Sequence, residues 1–509
     1  MEPSRRPNAI EVTLELRILT LKSIFKMTSN IYKDISKLDS DLEIIIERER
    51  HFIWGKEIGL FDDDPSSRGG TLALAIDTNF ETIIHAFSNI QEELGIIFAA
   101  QQRHEYCVYY RLRMLNDDLS NILPLDARQR IQNNLELKLV STEDNELLEK
   151  TRDLCSNQKV NHAIGILAAI KYMSKMTSEH SDQQSSHLHI RSDQLQPGEH
   201  VDFHEQAWLL DDNGTNKRPV LVEHRKLSAQ WTGERGKVLF ERVQKLSKLL
   251  SFASNPVDFR ILRCCGFKCN PSRLAFTMVY EFPSFNRVSA DPLRPVALRR
   301  VFRELRERHK RPLLGDRFRL AYRIADALSQ CHKVGWLHKN ISSYNILFFV
   351  EPESTITDAL GSPYIVGFNH SRPNDPKEFT EGLSEDHSQL DYQHPEYLEG
   401  TERYRIEFDY FSIGLVLLEI GLWKPLTDLV RDLKGESPSK VKQKLLEVEV
   451  PQLGYFMGRR YRDCVIACME SRFVPEGSGA QGNVPISSIV QSGFRAKVVE
   501  PLLACVDAF

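Results

Sequence analysis

Leu337-His338-Lys339-Asn340-Ile341-Ser342-Ser343-Tyr344-Asn345-Ile346-Leu347 places a histidine, a lysine and two amides at fixed spacing between apolar ends. Three further stretches follow in order: Tyr364-Ile365-Val366-Gly367-Phe368-Asn369, His394-Pro395-Glu396 and Asp409-Tyr410-Phe411-Ser412-Ile413-Gly414, the last running on into Leu415-Val416-Leu417-Leu418-Glu419-Ile420. Upstream lie short β-branched and aromatic runs, Pro219-Val220-Leu221-Val222-Glu223, Ile261-Leu262-Arg263-Cys264-Cys265 and Leu274 to Phe282, which read as strands. A helix-like piece, Gly236 to Leu250, sits between the first two, and helices dominate beyond residue 296. Strands first and helices afterwards is an α+β order.

The four stretches resemble the protein-kinase signature. In that family the catalytic loop carries His, a basic residue, Asp and, five positions after the Asp, Asn. The resemblance implies a two-lobed protein-kinase-like fold over 205–509, with a small lobe over about 205–282, a hinge at Val279 to Phe282 and a helical lobe over about 283–509. It aligns His338, Asn340 and Asn345 with the catalytic loop, Gly367-Phe368-Asn369 with Asp-Phe-Gly, and Glu396 with the Glu of Ala-Pro-Glu. It also implies that Asp409 secures the catalytic-loop backbone near His338 and that Glu396 pairs with a downstream arginine, for which Arg462 is the candidate. Phe368, Glu396, Asp409 and Arg462 are thus the structural residues of the motif.

The residues that would do chemistry differ. Asn340 stands where a kinase has the Asp that accepts the substrate proton, and an amide cannot take a proton. Gly367 stands where an Asp should hold Mg²⁺. Asn345 and Asn369 are the remaining metal ligands on offer, and neutral amides are poor partners for a hard cation. Between 200 and 222 the only glycine is Gly214, in Asp212-Asn213-Gly214, which reads as a hairpin turn rather than a phosphate-cradling loop. Strand alternation puts His224 on the face of Val220 and Val222, where a kinase carries its phosphate-pairing lysine; Arg225 or Lys226 could serve there only through a bulge. Glu241 is the carboxylate partner expected on the following helix, or else a surface charge, and Glu281 closes the expected nucleotide-site residues. ATP and Mg²⁺ are therefore not required cofactors of this reading.

The first half has a different texture. Apolar residues recur at three- and four-residue spacing over Leu38 to Ile53 and over Phe80 to Ile97, the second preceded by Asp77 as a cap, and Tyr109 to Leu123, Ala127 to Leu139, Asn145 to Cys155 and Val160 to Met173 are helix-like as well. Helices over 1–173 are expected to bury one another. Residues 174–204 are rich in Ser, Gln, Asp and His and read as a flexible linker. The segment Leu42 to Leu60, with Trp54-Gly55 followed by Ile58-Gly59-Leu60, and Leu115-Asn116-Asp117-Asp118-Leu119 with Leu123-Pro124 resemble the fungal HeLo domain, also called the prion-inhibition-and-propagation domain. That family's first helix is apolar and implicated in membrane insertion and cell death. Here Glu11, Glu15, Arg17, Lys22 and Lys26 interrupt it, leaving an amphipathic face of Leu14, Ile18, Leu21 and Phe25 suited at most to an interface.

Lys+Arg 66 against Asp+Glu 70 gives a net charge of −4 and excludes a polycation that binds nucleic acid in bulk. The average conceals a stretch from Arg294 to Arg323 with eleven Lys or Arg against three acidic residues. It reads either as a dock for acidic lipid headgroups, an acidic partner or a nuclear import receptor, or as a solvated helix whose arginine stems cover apolar surface. Nine cysteines with no export signal and no zinc spacing read as reduced thiols in a cytoplasmic protein, with peripheral membrane association through the helical half. The two resemblances together imply a signalling or cell-death protein in which a pseudokinase senses a ligand or partner and gates a helical bundle that self-associates or meets other proteins. The alternatives are an active Ser/Thr kinase with an atypical site and a non-catalytic adaptor.

Overall fold

A computed structural model describes residues 9–38, 42–60, 78–100, 106–140, 142, 144–156, 164–165, 167–169, 171–172, 188–201, 204–211, 213–226, 234–252, 259–270, 275–283, 293–308, 310–374, 390–474 and 486–508. The chain forms two compact units, residues 1–165 and 166–509.

The first unit is helical: α1 (Ala9–Leu38), α2 (Leu42–Glu57), α3 (Phe80–Ala100), α4 (Tyr106–Asn121), α5 (Leu125–Val140) and α6 (Asn145–Ser156). Each expected stripe from Leu38 to Cys155 falls on one of these helices, with ends displaced by a few residues. Asp77 lies outside the described residues. One core gathers Leu21 and Phe25 of α1, Trp54 of α2, Phe87 of α3 and Leu119 of α4. The Trp54-Gly55 pair has a packing cause. A Cβ on Gly55 would stand 2.1 Å from the Phe25 ring, so only glycine lets α1 and α2 close there, and the Trp54 indole donates to the Leu119 carbonyl at 2.8 Å. Asn116 donates to Glu47 at 2.8 Å, and Arg50 bridges Glu47 and Asp117, so these four polar side chains are paired. The α1 face proposed for an interface is already used: Ile18, Leu21 and Phe25 are buried within the protein.

The second unit begins earlier than the expected boundary near 200. Of the linker expected over 174–204, residues 174–187 lie outside the described residues. Beyond them the chain is built into the sheet, because three apolar side chains punctuate the polar run. Leu188 and Ile190 are buried, the Ile190 N–H donates to the Phe267 carbonyl at 2.9 Å, and Leu195 packs with Ala207, Val220 and Val279. The antiparallel sheet has six strands: β1 (Leu195–Gln196), β2 (His200–Val201), β3 (His204–Leu210), β4 (Lys217–Lys226), β5 (Cys264–Asn270) and β6 (Ala275–Glu281), in the order β1-β3-β4-β6-β5 with β2 also on β3. The turn from β3 to β4 is the expected hairpin, in which the Asp211 carboxylate accepts the Thr215 N–H at 2.8 Å. Ile261 and Leu262 precede β5 instead of belonging to it. Helix α7 (Glu234–Phe252) lies against the sheet through Leu239 and Val243, which meet Phe267 and Phe276.

After β7 (Arg294–Ala297), α8 (Leu298–Glu307) and α9 (Leu314–Lys333), the quoted stretch opens on β8 (Trp336–Leu337) and closes on β9 (Ile346–Val350), which pairs with β7 and with β10 (Tyr364–Ile365). Helix α10 (Ile406–Leu422) is apolar on every side and almost wholly buried, as its composition requires. It packs against α11 (Val450–Phe456) and α12 (Gly458–Met469). Much of the basic stretch is tied internally. Arg300 meets Glu304 at 2.7 Å, Arg306 meets Asp428 at 2.7 Å, and Arg317 donates to the Gly421 carbonyl at 2.9 Å. Leu298, Val301, Phe302 and Leu305 form the buried side of α8. No helix among the described residues is long and apolar enough to cross a membrane.

Candidate functional site

The loop between β8 and β9 is held from below by one buried carboxylate. Asp409, near the start of α10, accepts the backbone N–H groups of His338 and Lys339, each at 2.8 Å, and the Tyr404 hydroxyl at 2.7 Å, with His332 Nε2 2.9 Å away. Burial alone would raise its pKa, but the bonds from His332 and Tyr404 and the nearby imidazoles hold it below the ordinary value. The His338 ring stands edge-on to Phe368 at 4.4 Å, and burial pushes its pKa down to about 4. Neutral His338 accepts the Asn340 N–H on Nδ1 at 3.2 Å.

The two amides of the loop serve its own shape. Asn345 Nδ2 donates to the Asn340 carbonyl at 2.8 Å, and Asn340 Nδ2 donates to the Gly367 carbonyl at 3.5 Å. Gly367 has φ of +88°, and a Cβ there would lie 2.6 Å from the Asn345 amide. An aspartate at 367 is therefore disfavoured both by conformation and by space.

The sheet meets the second loop of the site, Gly367 to Asn369 after β10, with a carboxylate. Glu223, on β4, is buried, accepts the Gly367 N–H at 2.5 Å and the Tyr280 hydroxyl at 3.1 Å, and lies 3.7 Å from His204 Nδ1. Burial raises its pKa to about 7, partly offset by these donors and the N–H groups of Phe368 and Asn369. His204, from β3, is buried too, with its pKa lowered to about 4 by burial, which leaves it neutral beside Glu223.

The expected site residues divide sharply. His224 does lie on the face of Val220 and Val222, but that face packs against Ile190 and Leu195, away from the loop. Its ring instead bonds Thr277 at 3.0 Å and Glu205 at 2.9 Å. Arg225 reaches the loop without any bulge, being on the Glu223 face, where it donates to the Asn369 carbonyl. Burial and the neighbouring Arg242 lower its pKa to about 9. Of Lys226 only the backbone, at the end of β4, is described. Glu241 is exposed and Arg242 turns inward in its place, so the carboxylate partner expected on α7 is a cation. Glu281 is occupied at the sheet margin by Arg218, at 2.7 Å, and Arg263, at 3.7 Å. Asn369 Nδ2 faces the His224 carbonyl at 3.4 Å, committed to a backbone contact. Glu396 pairs with Arg405 at 3.0 Å, while Arg462 bonds Asp463 at 2.8 Å. Arg405 lies only nine residues on and just before α10, so the local partner wins over the distant one.

Sequence reasoning missed Glu223, His204, Tyr280 and Arg242. The available signal was a charge inside an apolar strand. Because Val220-Leu221-Val222 is apolar on both faces, alternation could not say which face looks at the loop. Lys339 is likewise more than a backbone position. Its ammonium lies over the Tyr404 ring at 5.2 Å, and burial together with Arg372, Arg225 and Arg242 lowers its pKa to about 7. Among the described residues no three His, Cys, Asp or Glu side chains converge as a metal site.

No protein-family model matches the chain. Over 107 residues it is 32% identical to the "Probable serine/threonine-protein kinase glkA" of Dictyostelium discoideum, a match covering 21% of this chain and 20% of that protein. The similarity supports a kinase-like region, and the chain spans about a fifth of the relative it matches.

Proposed function

We propose that the second unit is a two-lobed, kinase-like signalling domain that does not transfer phosphate, and that it senses a partner or ligand and gates the helical unit. The observation that carries this reading is the bond from the Gly367 N–H to the buried carboxylate of Glu223. An acid occupies the sheet position facing the loop, and a residue without a side chain occupies the loop position facing the sheet. Phosphate brought to this place would meet a carboxylate, and Mg²⁺ would meet the amides of Asn340 and Asn345, so the residues present do not fit Mg-ATP. The retained elements, Asp409 with His338 and Phe368 with His338, serve the architecture. A HeLo-like role of the first unit in cell-death signalling, at a cytoplasmic or peripheral membrane location, belongs to the same proposal and is supported by the Trp54-Gly55 packing alone.

The purified full chain, incubated with ATP, Mg²⁺ or Mn²⁺ and a generic protein substrate, is expected to transfer no phosphate, and nucleotide is expected not to raise its melting temperature. Transfer that disappears in Asn345→Ala would overturn the reading in favour of an active Ser/Thr kinase, the alternative favoured by the similarity to the Dictyostelium protein.

A further inference from the structure

The part of the basic stretch that is not folded inward ends beside exposed aromatic side chains. Leu313 is 76% exposed, Tyr455 92% and Phe456 41%, unusual values for side chains of this size. They belong to two segments joined through one arginine. Arg311 lies over the Phe456 ring at 5.2 Å and donates to the Leu422 carbonyl at 2.6 Å, while Tyr455 and Phe456 stand edge to face at 5.9 Å. With Arg317 on the Gly421 carbonyl at 2.9 Å, two guanidinium groups cap the C-terminal carbonyls of α10. The platform is therefore anchored to the most buried helix of the unit, and little ordering remains to be done on binding.

Its rim is rich in cations. Arg308, Lys310 and Arg311 come from one segment and Arg459, Arg460 and Arg462 from the other. Glu307 and Asp463 flank these segments, and Asp463 lies 3.5 Å from Arg459 and 2.8 Å from Arg462, which leaves six cations against two carboxylates. We propose that this cation-rimmed apolar patch docks a short acidic segment of a partner protein, one that carries an aromatic or aliphatic anchor. The exposed rings of Tyr455 and Phe456 would receive the anchor, and the rim would steer and hold the acidic residues. A lipid surface is a poorer match: the helical run over 438–456 that ends in these rings exposes Val448, Tyr455 and Phe456 as its large apolar side chains and carries Glu447 and Glu449, whereas interfacial helices need a long apolar face.

The test is selection from a displayed random-peptide library on the full chain. Peptides combining Asp or Glu with Phe, Tyr, Trp, Leu or Ile should be enriched. A labelled peptide of that composition should bind at least about tenfold more weakly to Tyr455→Ala and to Arg459→Glu/Arg460→Glu, and more weakly as salt is raised. All three positions are exposed, so an unchanged melting temperature certifies that the variants are folded. The proposal is overturned if selection enriches no acidic motif or if the variants bind the peptide like the parent. It is equally overturned if Tyr455→Ala abolishes binding to phosphatidylserine vesicles or concentration-dependent self-association in place of peptide binding.

Discussion

Glu223→Gln should make the second unit more stable at pH 8 and leave it unchanged at pH 4.5. The Glu223 pKa is raised from an ordinary 4.5 to about 7 by burial. The folded state therefore retains a proton that the unfolded chain has already released between those values. Protons bound are then more numerous in the folded state, so stability is greatest below about 4.5, falls as pH rises toward 7, and levels off above it. The raised value corresponds to about 3 kcal/mol at pH 8. Glutamine keeps the shape and an oxygen for the Gly367 N–H, and the charge-assisted bond it forgoes is already counted in the raised pKa. A gain of about 3 kcal/mol at pH 8 is therefore expected. Because the chain has two units, urea unfolding should be followed by hydrogen exchange of peptides covering β9 and β10, which report on the second unit alone. A variant less stable than the parent at pH 8, or a difference that is the same at both pH values, would refute the reasoning.

Lys339→Met should stabilise the same unit by about 4 kcal/mol near pH 7, since the lysine pKa is lowered from 10.5 to about 7. The gain should be largest below pH 7 and vanish above about 10.5, where the lysine is neutral in both states, as urea unfolding across that range would reveal. Asp409→Asn keeps one acceptor oxygen but turns the other into an N–H₂ donor facing donors such as the His338 N–H, and with the loss of the buried charge should cost about 3–5 kcal/mol, read as loss of a cooperative unfolding transition. In the first unit, Trp54→Ala should cost about 3–5 kcal/mol by circular dichroism, and Gly55→Ala should also destabilise because its Cβ meets Phe25.

The elements that could be read from sequence were those with one strong period or one strong spacing. The stripes of α2 to α6 and the loop from His338 to Asn345 contain their own instructions, because the residues that decide them are close in the chain. The strands were located but not oriented. Val220, Leu221 and Val222 are all buried, so the two faces of β4 were chemically equivalent until Ile190 and Leu195 covered one of them. For the same reason Glu223 was passed over for His224. The start of the second unit was misjudged because composition averaged over 174–204 hid Leu188, Ile190 and Leu195, three side chains that suffice to pair an edge. Partner choice was missed as well. The nearness of Arg405 to Glu396 in the chain was the available signal, and it was passed over for the more distant Arg462.

The Glu223–Gly367 contact also constrains what the chain can become. A lysine at 223 alone would face a glycine with no carboxylate to answer it. An aspartate at 367 alone would collide with Asn345 and carry a strained backbone, at a cost of about 2–5 kcal/mol. An aspartate at 340 alone would still have no second metal-binding carboxylate at 367. No single substitution moves this site toward Mg-ATP chemistry, and the first steps are neutral for catalysis at best and damaging to the fold at worst. The contact reinforces itself: a change on either side alone leaves the other without its partner.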